Sequence, residues 1–503
     1  MEIEQKIRDR LNKCQEKIIN APEKYVLVSA CPGSGKTYTI VKRITKELKN
    51  IKPYQGIIAC SFTNESSDEL KKRISKSIDL TQSFIGTVDS FVMNIIKIYI
   101  NRLVKSNNKG SQQIILKETT FPSNEINKQI NNITKFYDKN EKFRIEGNKY
   151  LNIWYNKLKQ GNYEVSFPTY IIGKKIVEMK VFNEFFSERY TSMYIDEAQD
   201  LNWFQHKFIN AIKENTNIDI IMVGDPLQSI YQFRGARPEL FNNLELNDYK
   251  KYSIDVSVRC HQSIMYYANK IYNEPIDKLT VESKVKFIYN DDFNLSFLKS
   301  LSDGVFILTE SNPTAIKLYE LYKNDFDIIY TKKLDNMPED YNSNKDVIDE
   351  LLKYYLNYDN EKDIYKYSAE QLFKILSVLN KKLRLQQLYV RNRDLNKYLT
   401  EILEILKIEV SADTITEITN KLEDEKYKYS YFVVDKDNRI MTIHSSKGLE
   451  SENVVIVLDN PYNRVDDEFK NKLFVAITRA KNNVYILTSN NNTIENYINE
   501  LLE

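Results

Sequence analysis

The chain has 503 residues, enough for about three or four compact units. Its 72 basic and 70 acidic residues leave a formal net charge of +2, so no global basic excess advertises a nucleic-acid partner and any such path must be local. The apolar fraction of 42% suffices for real cores, and no apolar run approaches the ~20 residues of a membrane span. Cys14, Cys31, Cys60 and Cys260 are scattered without a C-x-x-C pair, which argues against a zinc or iron–sulfur site. The charged start MEIEQKIRDR has no signal-peptide core, so a soluble, cytoplasmic protein with no membrane partner is expected.

In chain order, short β-branched runs alternate with helical patterns from about residue 24 to 260. Lys24–Ala30, Gly56–Phe62, Met193–Ala198 and Ile218–Asp225 read as buried parallel strands. This is the pattern of a doubly wound α/β domain. Residues 95–180 are rich in Lys and Asn and mostly helical, which predicts a helical insertion between 1–94 and 181–250. A second alternating region follows, with Val305–Thr309, Phe326–Thr331, Arg439–His444, Val454–Asp459 and Val484–Ser489 as its strands. It is interrupted at 336–435 by helical text such as EQLFKILSVLNKKLRLQQLYV, giving a second core over 251–335 and 436–503. The expected fold is α/β, with two cores that each carry a helical insertion.

The segment ACPGSGKT, Ala30–Thr37, follows a strand and opens a helix, the context that a phosphate-binding loop needs. Ala30, Cys31, Pro32, Gly33, Ser34 and Gly35 would curl so that backbone N–H groups face phosphates at the positive end of the new helix. Lys36 would pair with the β- and γ-phosphates, and Thr37 would ligand Mg²⁺. The first position is Ala30 where the general pattern has Gly. Downstream, DEAQD (Asp196–Asp200) ends a second apolar strand. Asp196 is placed to hold Mg²⁺ and Glu197 to polarise an attacking water, although two adjacent acids at a strand end also suit a solvated turn. The expected ligands are therefore ATP and Mg²⁺.

With these motifs in order, the chain resembles a superfamily 1 DNA helicase of the UvrD/Rep/PcrA type, a family built on two RecA-like P-loop NTPase cores. Leu11, Asn12 and Gln15 resemble the Q motif, in which the glutamine reads the adenine edge. Ser61–Ile74 and GTVDSF (Gly86–Phe91) resemble DNA-contacting motifs. VGDPLQSIYQFRGA (Val223–Ala236) closely matches motif III, and IDVSVRC (Ile254–Cys260) aligns with motif IV. MTIHSSKGLES (Met441–Ser451) resembles motif V, and LFVAITRAK (Leu473–Lys481) motif VI. The resemblance implies that Arg259 and Arg479, carried by the second core and its edge, stabilise charge on the γ-phosphate. It implies that Gln228 senses that phosphate and that Glu450 contacts nucleotide. It also implies that Phe62, Tyr231 and Phe233 stack on bases of single-stranded or tailed DNA, with Thr63, Asn64 and His444 as polar partners and Arg234 bridging towards the nucleotide side. Outside that context, Phe62 and Tyr231 read better as core aromatics at strand ends.

The chain departs from the family pattern in places. Val258 stands where an aromatic usually stacks on adenine, so the base is less well specified than the phosphates. Asp89 stands where His is usual, an acid that would repel phosphate unless it meets a base or a basic residue. Ser451 replaces an aromatic. Compactness, Asp89 in GTVDSF and the Arg259–Cys260 pair of motif IV make the chain similar to the helicase-like subunit of the Gabija anti-phage system, which works beside an OLD-family nuclease. The expected function is an ATP-dependent DNA translocase or helicase acting 3′ to 5′ in anti-phage defence. The alternatives are a DNA-end sensor whose NTPase controls a partner nuclease, and a repair helicase.

Overall fold

The continuous apolar runs become parallel strands in the computed structural model. It describes the chain apart from residues 1, 76–77, 107–168, 245–247, 273–281, 289–291, 302–303, 331–333, 335–336, 357–393, 407, 424–426, 428, 433, 435, 460–463, 489–491 and 503. The chain divides into two units, Met1–Cys260 and His261–Glu503. In the first, β1 (Tyr25–Ala30), β2 (Gly56–Ser61), β3 (Phe84–Thr87), β4 (Tyr190–Ile195), β5 (Asp219–Gly224) and β6 (Lys250–Ile254) form one sheet in the order β3-β2-β4-β5-β1-β6. Every pairing is parallel. Helices cover both faces, and so the central strands are largely apolar: β2 is buried along its whole length. One face packs Leu27, Ile58, Met193, Ile195 and Ile220 under Phe91, Phe186 and Phe208. The other packs Val26, Val28, Ala59 and Val223 under Ile18, Ile40 and Ile44.

Because the strands are parallel, their carboxyl ends share one edge of the sheet. The register pairs Ser29 with Gly224 and Ile195 with Met222, so the loops after β1, β4 and β5 emerge side by side. Those are the loops that carry ACPGSGKT, DEAQD and GDPLQ. Such an edge, at the crossover in strand order, is where open α/β sheets place ligands.

The second unit repeats the plan. Strands β7 (Val285–Ile288), β8 (Val305–Thr309), β9 (Asp327–Ile329), β10 (Arg439–Thr442), β11 (Ser451–Leu458) and β12 (Ala480–Thr488) form a parallel sheet in the order β7-β12-β11-β8-β10-β9. The fold is thus α/β with two RecA-like parallel sheets. Between β9 and β10 lie helices Glu339–Ser343, Lys345–Leu356, Leu395–Leu406 and Ala412–Glu423, which gather Tyr341, Leu351, Leu352, Tyr398, Leu399 and Ile418 into a core of their own. The text EQLFKILSVLNKKLRLQQLYV lies outside the described residues. So does most of the insertion expected at 95–180. Its described flanks, in the helices Val88–Ser106 and Thr169–Val177, pack Ile95, Ile96, Ile176 and Val177 into the first core. Among the described residues, no helix is long and apolar enough to cross a membrane.

One boundary differs from the sequence expectation. β6 pairs with β1, and the first unit runs on to Cys260, so residues 251–260, expected with the second core, belong to the first.

Candidate nucleotide site

The loop after β1 closes on itself through the Ser34 hydroxyl, which donates to the Cys31 carbonyl at 2.7 Å. Gly33 and Gly35 take φ of 70° and 74°, the left-handed region that glycine enters without strain. Helix Lys36–Leu48 starts directly after Gly35, so its unpaired N–H groups face the loop. Two segments from elsewhere in the unit clasp this loop. The buried Gln15 donates through Nε2 to the Ser34 carbonyl at 3.0 Å. From the other side, the Cys31 N–H donates to Ile254 O at 3.0 Å and the Val258 N–H to Gly33 O at 3.1 Å. Burial pushes the Cys31 thiol up to about 12, so at neutral pH it presents no thiolate.

The acids line up beside it. The Thr37 hydroxyl donates to Asp196 Oδ2 at 3.4 Å. Burial raises the Asp196 carboxyl to about 6, with Glu197 adding to the shift and Lys36 opposing it. Lys36 Nζ meanwhile donates to Ala30 O at 3.2 Å. Glu197 stands at φ 55°, unusual for a non-glycine residue. Its carboxylate accepts from Gln199 Nε2 at 2.6 Å, and Gln199 Oε1 accepts the Asp225 N–H at 3.0 Å. Asp225 Oδ2 accepts from Gln228 Nε2 at 2.6 Å. Burial also raises Asp225, against the pull of Lys36. A chain of hydrogen bonds, passing through the Asp225 backbone N–H, thus runs from the expected water-polarising acid to the expected phosphate sensor. Gln199 and Asp225, which lie inside the sequence motifs without an assigned part there, are the middle links of that chain. A hydroxyl and a buried carboxylate at one point, beside a lysine and a glycine loop, is a donor set that fits Mg²⁺ on a triphosphate.

Arg259 carries a correction. Expected from the second core, it belongs to the first unit, and a Cβ added to Gly33 would come 2.3 Å from its Cβ. It is thus seated on the phosphate loop itself. Arg479 and Glu450 lie in the second unit. Arg479 is 2% exposed and donates to the Val475 and Leu449 carbonyls at 3.1 and 3.3 Å, while Glu450 is exposed and pairs with Lys481 at 3.5 Å.

The first unit also gathers most of the residues expected on DNA. The Phe62 and Tyr231 rings stack at 4.9 Å with 26° between planes, and Phe233 follows at 6.2 Å from Tyr231. The Arg234 guanidinium lies over both Tyr231 and Phe233, at 5.4 and 5.5 Å. Tyr231 is buried, and Phe233 is 46% exposed. The Thr63 hydroxyl acts locally. It accepts the Ser66 N–H at 3.2 Å and so caps helix Asn64–Ser75, of which the exposed Asn64 is the first residue. His444 sits in the second unit, in the turn that follows β10. Asp89 meets neutral donors, accepting from the Tyr170 hydroxyl and from Gln205 Nε2.

Comparison with known proteins gives this geometry a family. Residues 11–250 match the UvrD/REP helicase N-terminal domain, and residues 437–487 match the UvrD-like helicase C-terminal domain. The chain is 29% identical to the Gabija protein GajB of Bacillus cereus (strain VD045) over 502 residues, 95% of each chain. It is 29% identical to ATP-dependent DNA helicase Rep of Buchnera aphidicola subsp. Schizaphis graminum, over 50% of this chain and 42% of Rep. It is 25% identical to ATP-dependent DNA helicase PcrA of Bacillus subtilis (strain 168), over 82% of this chain and 57% of PcrA. The chain therefore belongs to the UvrD-like helicase family, a family of ATP-hydrolysing DNA helicases.

Proposed function

We propose that the chain is an ATP-dependent translocase on single-stranded DNA, moving 3′ to 5′, that serves in anti-phage defence. The observation that carries this reading is the convergence of Lys36, Thr37, Asp196, Glu197, Gln228 and Arg259 around one glycine loop, on the unit that also bears the Phe62–Tyr231 stack. Mg²⁺, held by Thr37 and Asp196, would neutralise charge on the β- and γ-phosphates. Lys36 and Arg259 hold the phosphates, and Glu197 orients the attacking water. Gln199, Asp225 and Gln228 link Glu197 to the segment bearing Tyr231, so the state of the phosphates reaches the strand-binding aromatics through four hydrogen-bonded residues. The end-to-end likeness to the Gabija protein supports the defence setting and favours a second reading: a DNA-end-sensing NTPase that governs a partner nuclease of the OLD family with little unwinding.

Strand displacement on tailed duplexes tests the proposal. A 3′-tailed duplex is opened with ATP and a 5′-tailed one is not, and Lys36→Ala abolishes both hydrolysis and opening. Strong DNA-stimulated hydrolysis without any displacement would replace the translocase with the end sensor. A Lys36→Ala variant that still hydrolysed ATP would overturn the site.

A further inference from the structure

Asp89 is an exposed acid beside the aromatic residues read as a strand-binding shelf. Strand β3 ends at Thr87, which pairs with Ser61 of β2, so Asp89 and Phe62 leave the same edge of the sheet from neighbouring strands. Gln205 reaches Asp89 from the helix that starts after Asn202, and Asn202 bridges to Ala236, two residues past Arg234. The neighbours of Asp89 thus lead to both segments that carry the Phe62–Tyr231 stack.

A carboxylate in such a place repels phosphate unless a cation neutralises it. Among the described residues no lysine or arginine pairs with Asp89. Its partners are the Tyr170 hydroxyl and Gln205 Nε2, and both donate to Oδ1. Burial pushes the Tyr170 hydroxyl well above its ordinary value, with Asp89 adding to the shift, so Tyr170 stays a donor at neutral pH. Two neutral donors on one oxygen orient the carboxyl group and leave Oδ2 to accept from elsewhere. A carboxylate can only accept. The sugar–phosphate chain of DNA offers it no donor between its ends, whereas the bases do. We propose that Asp89 accepts a hydrogen bond from the exocyclic amino group of a base, so that this chain favours cytosine, adenine or guanine over thymine at that place. Thymine has no amino group, and its one ring N–H sits between two carbonyl oxygens that repel a carboxylate. The inference rests on the reading of the Phe62–Tyr231 face as a single-strand path and gives that path a base preference.

Fluorescence anisotropy of the full chain with labelled oligonucleotides tests it, at one salt concentration because phosphate contacts are strongly salt-dependent. Single-stranded homopolymers of thymidine and of 5-methyldeoxycytidine differ only on the pairing edge of the base, where an amino group replaces a carbonyl and a bare ring nitrogen replaces N–H. The unaltered chain binds the 5-methylcytosine oligomer about tenfold more tightly than the thymine oligomer. Asp89→Asn, its carbonyl held by the same two donors, turns an amide NH₂ outward that a thymine carbonyl can accept from, so the preference vanishes or reverses. Equal affinity of the unaltered chain for the two oligomers overturns the inference. So does an Asp89→Asn variant that keeps the preference while gaining or losing affinity for both alike, which is what bare repulsion or a purely structural role produces. An unaltered chain that bound neither oligomer would overturn the strand-binding reading itself, and the inference with it.

Discussion

At Gly33 the main chain does two things that a larger residue cannot. It takes φ 70°, and it lets Arg259 and Ser257 approach: an added Cβ would lie 2.3 Å from Arg259 Cβ and 2.7 Å from Ser257 Oγ. The left-handed conformation alone costs an L residue about 1–2 kcal/mol. The close approach adds to this, because the neighbouring segment is tied down by the Val258–Gly33 backbone bond. Gly33→Ala therefore lowers the unfolding free energy by about 2 kcal/mol or more in urea titration, and weakens nucleotide binding with it. A variant as stable as the unaltered chain would show that Arg259 is not seated on the loop. At Gly35 the added atom meets Gln15 Nε2, the end of a flexible side chain that can shift. Sequence made the P-loop and the DEAQD acids legible because their types and spacing are local. Gln199 and Asp225 escaped assignment because their roles arise from contacts between residues 26 positions apart. Arg259 was misassigned for a related reason: a motif's position in the chain does not say which sheet its neighbours join.

Among elements, most of the legible strands were buried on both faces, as β2 and β8 are along their whole length. β3 is half-buried along its length, β6 begins with exposed lysines, and β7 is only four residues long, so none presents a continuous apolar run. Helix Trp203–Asn215 illustrates a different constraint. Asn202 and Gln205 form a reciprocal capping box at its start, and Gln205 also reaches Asp89. One residue on, His206 is 5% exposed, and its Nε2 is buried without a hydrogen-bond partner. Burial lowers the imidazole to about 4 from its ordinary 6.5. Between those values the unfolded chain binds the proton and the native chain does not, so stability rises with pH there. The contribution is complete above about pH 6.5 and is lost as pH falls towards 4, amounting to on the order of 3 kcal/mol. His206→Leu removes this titration. Urea midpoints measured from pH 7 down to pH 4.5 therefore fall less steeply for the variant than for the unaltered chain. Parallel pH curves would mean that His206 is accessible to protons in the native state.

For the whole molecule, the division at Cys260 leaves most of the proposed nucleotide site in the first unit. Gln15, the loop, Asp196, Gln228 and Arg259 all lie within residues 1–260, which also complete a sheet and its cores. A chain ended after Cys260 therefore binds Mg²⁺–ATP within about fivefold of the full chain, a difference of about 1 kcal/mol, by equilibrium dialysis. A much larger loss would place part of the binding machinery beyond Cys260. At this scale the sequence was readable because alternating runs of period 2 and 3.6 recur twice, while the seam between the repeats was not. The exposed strand β6 carries little apolar signal, so its membership depends on pairing with β1 rather than on its own residues. That pairing has a mechanical corollary. Ile254 O and the Val258 N–H are both bonded to the phosphate loop, and the unit ends two residues after Val258. The polypeptide thus departs for its second half directly from the loop, so any displacement of Gly33 is also a tug on the tether, delivered along the backbone without a relay of side chains.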